Sequence, residues 1–396
     1  MEILPVCVAL ATIFVWCALA GRLERTGLTA PIVFVAAGFV LVEIFDAHDL
    51  GLEPELVKLI AEVTLVWVLF GDASGVRWRE FRRDLGTYCR LLGIGLPLTM
   101  ALGTGVAMVV LGLDPWPALL VGAALAPTDA ALGASVMSNP RVPGRVRSAL
   151  NVESGLNDGI ATPIVLVAIA GTAVAEGITG VESPERAVLS LVVGVAVGAL
   201  IGGLGAWATK RARDLGWLRD KLDGVAVLAL ALLAYAGALL IDGNGFVAAF
   251  VAGLVFGNVA GRRQEQEVTF VEQSGNLASM ISWLVFGALA VPVIVEWWSW
   301  SMLAYVALSL TLVRMLPVFL SLLGAGIDRY SVAFVGWFGP RGLASVIFAL
   351  LALEGLGDAG QEVVAVISLT VLVSVVVHGF SARPLSTRFP KVSRTA

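Results

Sequence analysis

Charged residues, histidine and cysteine are scarce in this chain of 396 residues. Asp, Glu, Lys and Arg together make up 14% of it, while 58% is hydrophobic and the mean hydropathy is +0.91. A soluble protein of this length could not bury so much apolar surface, which excludes a soluble enzyme or nucleic-acid-binding domain. The three cysteines, Cys7, Cys17 and Cys89, are odd in number and lie in or near apolar runs. We therefore predict no disulfide framework and no metal site.

Long apolar runs dominate what remains. A run of about 20 apolar residues crosses a bilayer, and the chain contains thirteen, at roughly 3–20, 28–45, 56–72, 88–111, 116–137, 149–173, 186–209, 222–241, 244–258, 270–291, 299–323, 331–353 and 362–380. No basic segment precedes the first run, which argues against a signal peptide. The runs predict an all-α polytopic membrane protein with thirteen transmembrane helices.

The basic residues are distributed unevenly about these spans. All but four of the 26 lie in the tail or in alternate loops, which include Arg22, Arg25, Arg77 to Arg90, Arg141 to Arg147, Lys210 to Lys221, Arg262, Arg263 and Arg329. The exceptions are Lys58 and Arg186 on the opposite side, and Arg314 and Arg341 within spans. Because positive loops stay in the cytoplasm, we expect a cytoplasmic C-terminus, an outside N-terminus and a location in the cell (inner) membrane.

A weak internal repeat connects the two halves. Residues 67–71 (WVLFG) recur as residues 283–287 (WLVFG), and residues 126–129 (APTD) lie opposite residues 339–342 (GPRG). The repeat length contains an odd number of spans, so the second copy enters the membrane from the other side, as in many secondary transporters. The predicted organisation is a first inverted six-helix repeat at 1–175, a linker helix at 186–209, a second repeat at 222–380 and a short cytoplasmic tail at 381–396.

Each half also contains a proline inside a span, Pro127 in the fifth and Pro340 in the twelfth. Proline removes a backbone donor and opens the helix, and open backbone at membrane depth is tolerated where it lines a polar cavity. We expect these interrupted helices to cross at mid-membrane. Asp129 and Arg341 follow the prolines with opposite charges, so we expect Asp129 to offset exposed helix N-termini and Arg341 to offset C-termini.

The sixth span contains the most informative polar group. Ser154 and Asp158 share one helix face, as do Glu153 and Asn157. An acid within a span is costly and is a functional candidate by default. Asp158 could exchange a proton for a hard cation, with oxygen ligands from Ser154, Thr128 and Asn157; the alternative is a buried acid paired with arginine.

The other acids in the spans are assigned different roles. Glu153 points away from Asp158 and is expected to pair with Arg314 or Arg341. Asp129 is included among the ion-binding candidates. Asp72, at the end of the third span, could attract or ligate the ion, although a solvated helix end is an equal alternative.

Together these residues resemble the NhaP-type sodium/proton antiporters of the monovalent cation:proton antiporter-1 family. The matching pieces are Thr128-Asp129, residues 153–159 (ESGLNDG), Arg314 and residues 339–342 (GPRG). The resemblance implies that Asp158 carries ion and proton, that Thr128 and Ser154 ligate sodium, and that Asn157 orients the site. It further implies that Glu153 pairs with Arg314.

At the level of the whole molecule, the resemblance implies a homodimer in which a core bundle (helices 4–6 and 11–13) moves against a dimer bundle formed by the remainder. Asn157, where an electrogenic branch has a second Asp, implies electroneutral exchange of one sodium or lithium ion per proton. No cofactor is expected beyond the transported ions, and we expect no regulation by a long cytoplasmic tail of the kind that animal exchangers have.

Three rival functions fit less well, and a potassium/proton antiporter of the same fold remains the main alternative. An intramembrane aspartyl protease would use Asp129 and Asp158, but its Gly-x-Gly-Asp signature is replaced here by Asn-Asp-Gly. A rhomboid-like protease needs a membrane histidine, whereas His48 lies in a loop and His378 at the end of the last span. A cation channel does not explain the inverted repeat with an odd number of spans.

Overall fold

The computed structural model describes residues 3–24, 28–45, 50, 52–129, 132, 136, 139–178, 184–217, 222–260 and 265–389. Regular structure within these ranges is helical throughout, without strands. Thirteen principal helices follow the predicted order: α1 Ile3–Leu23, α2 Ala30–Ile44, α3 Pro54–Gly75, α4 Leu85–Leu111, α5 Pro115–Ala124, α6 Gly144–Ala175, α7 Pro184–Asp214, α8 Asp223–Leu239, α9 Gly245–Val259, α10 Glu265–Glu296, α11 Trp300–Ser321, α12 as α12a Arg329–Trp337 and α12b Leu343–Leu356, and α13 Gln361–Ser386.

Seven of the described helical stretches are long and apolar enough to cross a membrane. They correspond to α1, α4, α6, α7, most of α10, α11, and α12b together with α13. Four further apolar helices, α2, α5, α8 and α9, have 10–17 residues. Length and composition therefore support a multi-pass membrane protein.

One helix ends just before a predicted proline, and another is interrupted at one. Helix α5 ends at Ala124, and residues 125–129, which include Pro127, are not helical. Helix α12 stops at Trp337 and resumes at Leu343, so Pro340 lies in a short non-helical segment. The missing donor of each proline explains why the helical hydrogen bonding does not continue through these segments.

A third interruption was not predicted from the sequence. Helix α11 consists of Trp300–Leu310 and Leu312–Ser321, separated at Thr311, whose φ is −112° and ψ is −85°. The Thr311 hydroxyl donates to the Ala307 carbonyl at 2.6 Å. This back-bonding bends helices, and the break precedes Arg314 by three residues.

Close glycine contacts join the two halves of the chain. At Gly38 a Cβ would collide with the Leu284 carbonyl, and at Gly287 with the Val35 backbone, so α2 lies directly on α10. In the same way, a Cβ at Gly253 of α9 would collide with the Phe70 backbone of α3. The pairs α2–α10 and α3–α9 thus form similar close contacts.

The glycines of α7, Gly194, Gly198 and Gly202, also lie against the backbone of α9. Their spacing of four residues places them on one face, and small residues there allow backbones to approach closely. This contact attaches α7 to the group formed by α2, α3, α9 and α10.

Some sequence predictions concern residues outside the described ranges. These are Arg25, Arg262, Arg263, His48, the loop residues 218–221, the tail from 390 onward and most of the second half of the fifth span.

Candidate ion-binding site

A buried cluster of polar side chains lies where α6 meets the broken end of α5. The Asn157 amide donates to the Thr128 hydroxyl at 2.8 Å, and Thr128 and Ser154 hydroxyls lie 3.1 Å apart. Thr128 is 3% exposed, Ser154 7% and Asn157 0%. The interruption of α5 brings Thr128 to this cluster, since it frees the chain to leave the helical path before Thr128.

Asp158 follows directly on α6, one helical turn from Ser154 and near the middle of the helix. It is 8% exposed, and its Oδ1 has no hydrogen-bond partner among the described residues. The Asn157 Oδ1 likewise has no hydrogen-bond partner among these residues. Two neighbouring buried acceptors thus lack a donor, which is uncommon in proteins and costs free energy unless another group supplies positive charge.

The face of α6 around Asp158 contacts α3 and α9. A Cβ at Gly159 would collide with the Phe250 ring of α9, and one at Gly155 would lie 3.6 Å from the Asp72 carbonyl oxygen of α3. The Asp72 side chain is exposed, and its charge and that of Asp129 act on Asp158. Asp158 therefore lies on a stretch of α6 that packs against α3 and α9.

Glu153 forms a buried ion pair with Arg314 of α11. The guanidinium donates to both carboxylate oxygens, at 2.5 and 2.9 Å, and the two side chains are 2% and 3% exposed. Arg314 also donates to the Val335 carbonyl at 3.4 Å. The sequence left Arg314 and Arg341 as possible partners of Glu153, and the observed partner is Arg314.

Asp129 joins the broken segments of α5 and α12. Its backbone N–H donates to the Pro340 carbonyl at 2.9 Å, and its carboxylate accepts the N–H of Leu343, the first residue of α12b, at 3.0 Å. Gly342 permits this approach because a Cβ there would collide with the Asp129 carboxylate. The negative charge of Asp129 therefore lies at a helix N-terminus, where the dipole favours it.

Arg341, which the sequence groups with the Glu153 ion pair, contacts carbonyl oxygens instead. It is fully buried, and its Nη1 faces the carbonyls of Ala126, Pro127 and Gly339 at 3.3, 3.5 and 3.4 Å. No carboxylate lies within ion-pairing distance of it in the described part of the chain. The carbonyl groups exposed beside Pro127 and Pro340 therefore provide the hydrogen-bond acceptors of this guanidinium.

Two serines complete the junction and were not singled out by sequence reasoning. The Ser345 hydroxyl donates to the Ala124 carbonyl at 2.6 Å, and the Ser374 hydroxyl accepts the Arg341 N–H at 2.8 Å. Their only signal in the sequence is a hydroxyl within an otherwise apolar span.

A separate ion pair joins the starts of α4 and α6. Arg145 donates to both oxygens of Asp84 and to the Thr87 hydroxyl. The Arg145 guanidinium holds the pKa of the Asp84 carboxyl below its ordinary value. This pair lies at the helix ends, away from the buried polar cluster.

Comparison with known proteins identifies the family. The chain matches the family model described as "Sodium/hydrogen exchanger, transmembrane" over residues 8–388. It is 27% identical over 368 residues to the K(+)/H(+) antiporter NhaP2 of Shewanella sp. (strain MR-4), covering 90% of this chain and 62% of that protein. It is 28% identical over 371 residues to the K(+)/H(+) antiporter NhaP of Alkalimonas amylolytica, covering 92% and 63%. The chain thus spans less than two thirds of the length of these relatives.

Similarity to solved structures concerns the fold. The sodium proton antiporter MjNhaP1 from Methanocaldococcus jannaschii at pH 8 aligns with a TM-score of 0.79 at 20% identity, covering 98% of this chain and 99% of that one. The thirteen helices therefore follow a known antiporter architecture. With the family model matched from residue 8 to residue 388, this multi-pass membrane protein belongs to the sodium/hydrogen exchanger family, whose members are cation/proton antiporters rather than enzymes.

Proposed function

We propose that the chain exchanges one sodium ion, or by the same chemistry one lithium ion, for one proton, and that both compete for Asp158. The observation that carries this proposal is the buried Asp158 Oδ1 without a hydrogen-bond partner in the described structure. A buried carboxylate needs a compensating positive charge. A proton or a small cation can each supply it, and alternation between the two is the chemistry of an antiporter.

The neighbouring oxygens support a cation site. The Asn157 Nδ2 is engaged with Thr128, which leaves its Oδ1 as a free acceptor beside Asp158. Two more oxygens come from the Ser154 hydroxyl, one turn before Asp158 on α6, and from the Thr128 hydroxyl, which lies 3.1 Å from it. Hard cations favour ligand sets of this kind, made of carboxylate, amide and hydroxyl oxygens. In this proposal Asn157 orients the site and Thr128 and Ser154 complete the coordination.

The proposed one-for-one stoichiometry follows from the other charged groups. Glu153 is held by Arg314, and Asp129 accepts the N–H of Leu343. Asn157 cannot titrate. Asp158 is then the carboxylate left to exchange its proton, with Asp72 as an accessory acid that attracts the cation through its exposed position.

The packing supports an inverted repeat at 1–175 and 222–380 around a linker at 186–209. A two-fold relation between the halves exchanges α2 with α9 and α3 with α10, and it therefore exchanges the close contacts α2–α10 and α9–α3. We further propose that α4–α6 and α11–α13 form a core bundle, with the broken helices crossing in it. The remaining helices form the dimer bundle of a homodimer, and alternating access moves Asp158 along the contact between the bundles.

Potassium is the second candidate ion. The relatives from Shewanella and Alkalimonas, which cover 90% and 92% of this chain, are named as K(+)/H(+) antiporters. Oxygen ligands suit both ions, so the choice depends on cavity size. The charge distribution supports the orientation with the N-terminus outside and the C-terminus in the cytoplasm.

The test is pH-gradient dissipation in proteoliposomes, with sodium, lithium and potassium added separately. We expect the Asp158→Asn variant to lose cation-driven proton flux while keeping its melting temperature. Asp242→Asn is a matched control, because Asp242 is exposed at a turn with φ of 56°, a conformation that Asn tolerates. Exchange that persists in Asp158→Asn would refute the role of Asp158. A rate that depends on imposed membrane voltage would refute electroneutrality.

A further inference from the structure

His378 is a buried imidazole to which the proposed exchange assigns no role. The sequence places it at the end of the last span, but α13 continues to Ser386, and His378 is only 2% exposed. Its Nε2 lies 2.8 Å from the Trp337 carbonyl, the last residue of α12a. Its Nδ1 lies 2.8 Å from the Ser374 carbonyl and 3.1 Å from the Ser374 hydroxyl. The Trp337 ring lies over the imidazole at 5.3 Å.

One turn of α13 therefore contacts the break in α12 at two points. His378 contacts the carbonyl of Trp337 before the break, and Ser374 accepts the backbone N–H of Arg341 within it. The guanidinium of Arg341 in turn faces the carbonyls of Ala126 and Pro127 in the break of α5. A continuous set of contacts thus connects the imidazole to the segment that carries the candidate ligand Thr128.

The arrangement suits two protonation states with different hydrogen bonds. A neutral ring donates from Nε2 to Trp337 and accepts at Nδ1 from the Ser374 hydroxyl, whose oxygen also holds the Arg341 N–H. A charged ring donates from both nitrogens, to the Trp337 and Ser374 carbonyls. The Ser374 hydroxyl must then turn its hydrogen elsewhere, which changes how the Arg341 backbone is held.

The charged groups around the ring come from two elements. Arg341 in the α12 break and Arg314 of α11 both act on it, and both are positive. Helix α13 contributes no other titratable side chain within one turn of His378. The carbonyls of Trp337 and Ser374 favour a proton and the two arginines oppose it, so the ring is placed between opposing influences.

We propose that His378 is a positioning residue for the broken helix α12, and that its protonation, relayed by Ser374 to the Arg341 backbone, makes the maximal rate of exchange depend on pH. This inference rests on the proposed antiport function and adds regulation of the same site. It differs from the competition at Asp158, because competition alters the apparent KM for the cation whereas positioning alters the rate at saturating cation.

The first experiment measures the maximal rate against pH between about 5 and 8, the range in which histidine titrates. The His378→Gln variant can still donate to Trp337 but does not titrate. We expect the dependence of its maximal rate on pH to flatten toward a ratio of 1, while the pH dependence of KM is retained. Ser381→Ala is the matched control, since the Ser381 hydroxyl accepts a hydrogen bond from the Trp337 indole N–H and does not contact either imidazole nitrogen of His378. It should keep the wild-type profile.

A pH profile of wild-type shape in His378→Gln, even at a reduced overall rate, would overturn the proposal, because a purely structural role only scales the profile.

A second measurement applies even if that variant does not fold or the chain transports no cation. The chain has two histidines, so His48→Asn leaves one imidazole for nitrogen NMR. We expect the His378 ring to titrate in this range and its midpoint to shift in Ser374→Ala. A ring that keeps one protonation state throughout would also overturn the proposal.

Discussion

Replacing Arg314 with alanine would leave the Glu153 carboxylate without its partner in a buried site. Both side chains are at most 3% exposed, and two hydrogen bonds join them. Removing one member of a buried pair costs about 3–5 kcal/mol, mainly because an uncompensated charge remains. A protein is stable by only about 5–15 kcal/mol, so we expect a large loss of stability.

The expected size can be expressed as a melting temperature. At roughly 2–4 °C per kcal/mol for larger domains, the loss corresponds to a fall of roughly 10 °C for the detergent-solubilised protein. Arg329→Ala is the matched control, because Arg329 is exposed at the start of α12a and the chemical change is the same. We expect that control to melt within about 1–2 °C of the wild type, as surface substitutions usually have small effects.

A double-mutant cycle separates the pair from the individual residues. Its corners are the single variants Glu153→Gln and Arg314→Met and their combination, which removes both charges at similar volume. Replacing a whole buried pair by neutral groups is often close to neutral, so the double variant should recover at least half of the loss seen in Arg314→Ala. Normal melting of Arg314→Ala, or additive losses in the double variant, would show that the ion pair does not hold α6 against α11.

Two other predictions follow from the structure. Gly342→Ala should disrupt the contact between α5 and α12, because the added Cβ would collide with the Asp129 carboxylate. We expect it to lower both the melting temperature and the exchange rate. Gly105→Ala, whose Cβ would enter open space, should change neither. Arg145 lowers the pKa of Asp84, so their contribution to stability is complete above the ordinary carboxyl pKa of about 4 and is lost as pH falls through the lower folded value. The melting difference between wild type and Arg145→Ala should therefore be small, since Arg145 is 46% exposed, and should vanish in acid.

The helices were predictable because the hydrophobic runs are long and because basic residues concentrate in alternate loops between them. In the described part of the chain, thirteen helices in the predicted order are confirmed, and seven helical stretches are long and apolar enough to cross a membrane, while the helix boundaries differ from the expected ones. The sixth span, expected at 149–173, extends over Gly144–Ala175, because the polar residues of its first turns are still helical. In the fifth, expected at 116–137, the first helical part ends at Ala124 and residues 125–129 are not helical. Hydropathy reports the run of apolar residues and does not register where backbone hydrogen bonding stops.

The contacts of the site were only partly predictable. Spacing on one helix predicts that Ser154 and Asp158 share a face. Which arginine reaches Glu153 depends on how α6 packs on α11, across 161 residues of sequence. The break at Thr311, just before Arg314, had no proline to mark it.

Helix dipoles explain why Arg341 is buried without a carboxylate partner among the described residues. Each helix end carries about half an elementary charge. Arg341 faces carbonyls at the ends of two half-helices, α5 and α12a, and two C-terminal ends together offset about one positive charge. Arg314 is neutralised by Glu153, and Asp129 is stabilised by the N-terminus of α12b. These four charges are thus compensated without Asp158. In the proposed one-for-one exchange, a proton or the transported cation compensates the Asp158 carboxylate.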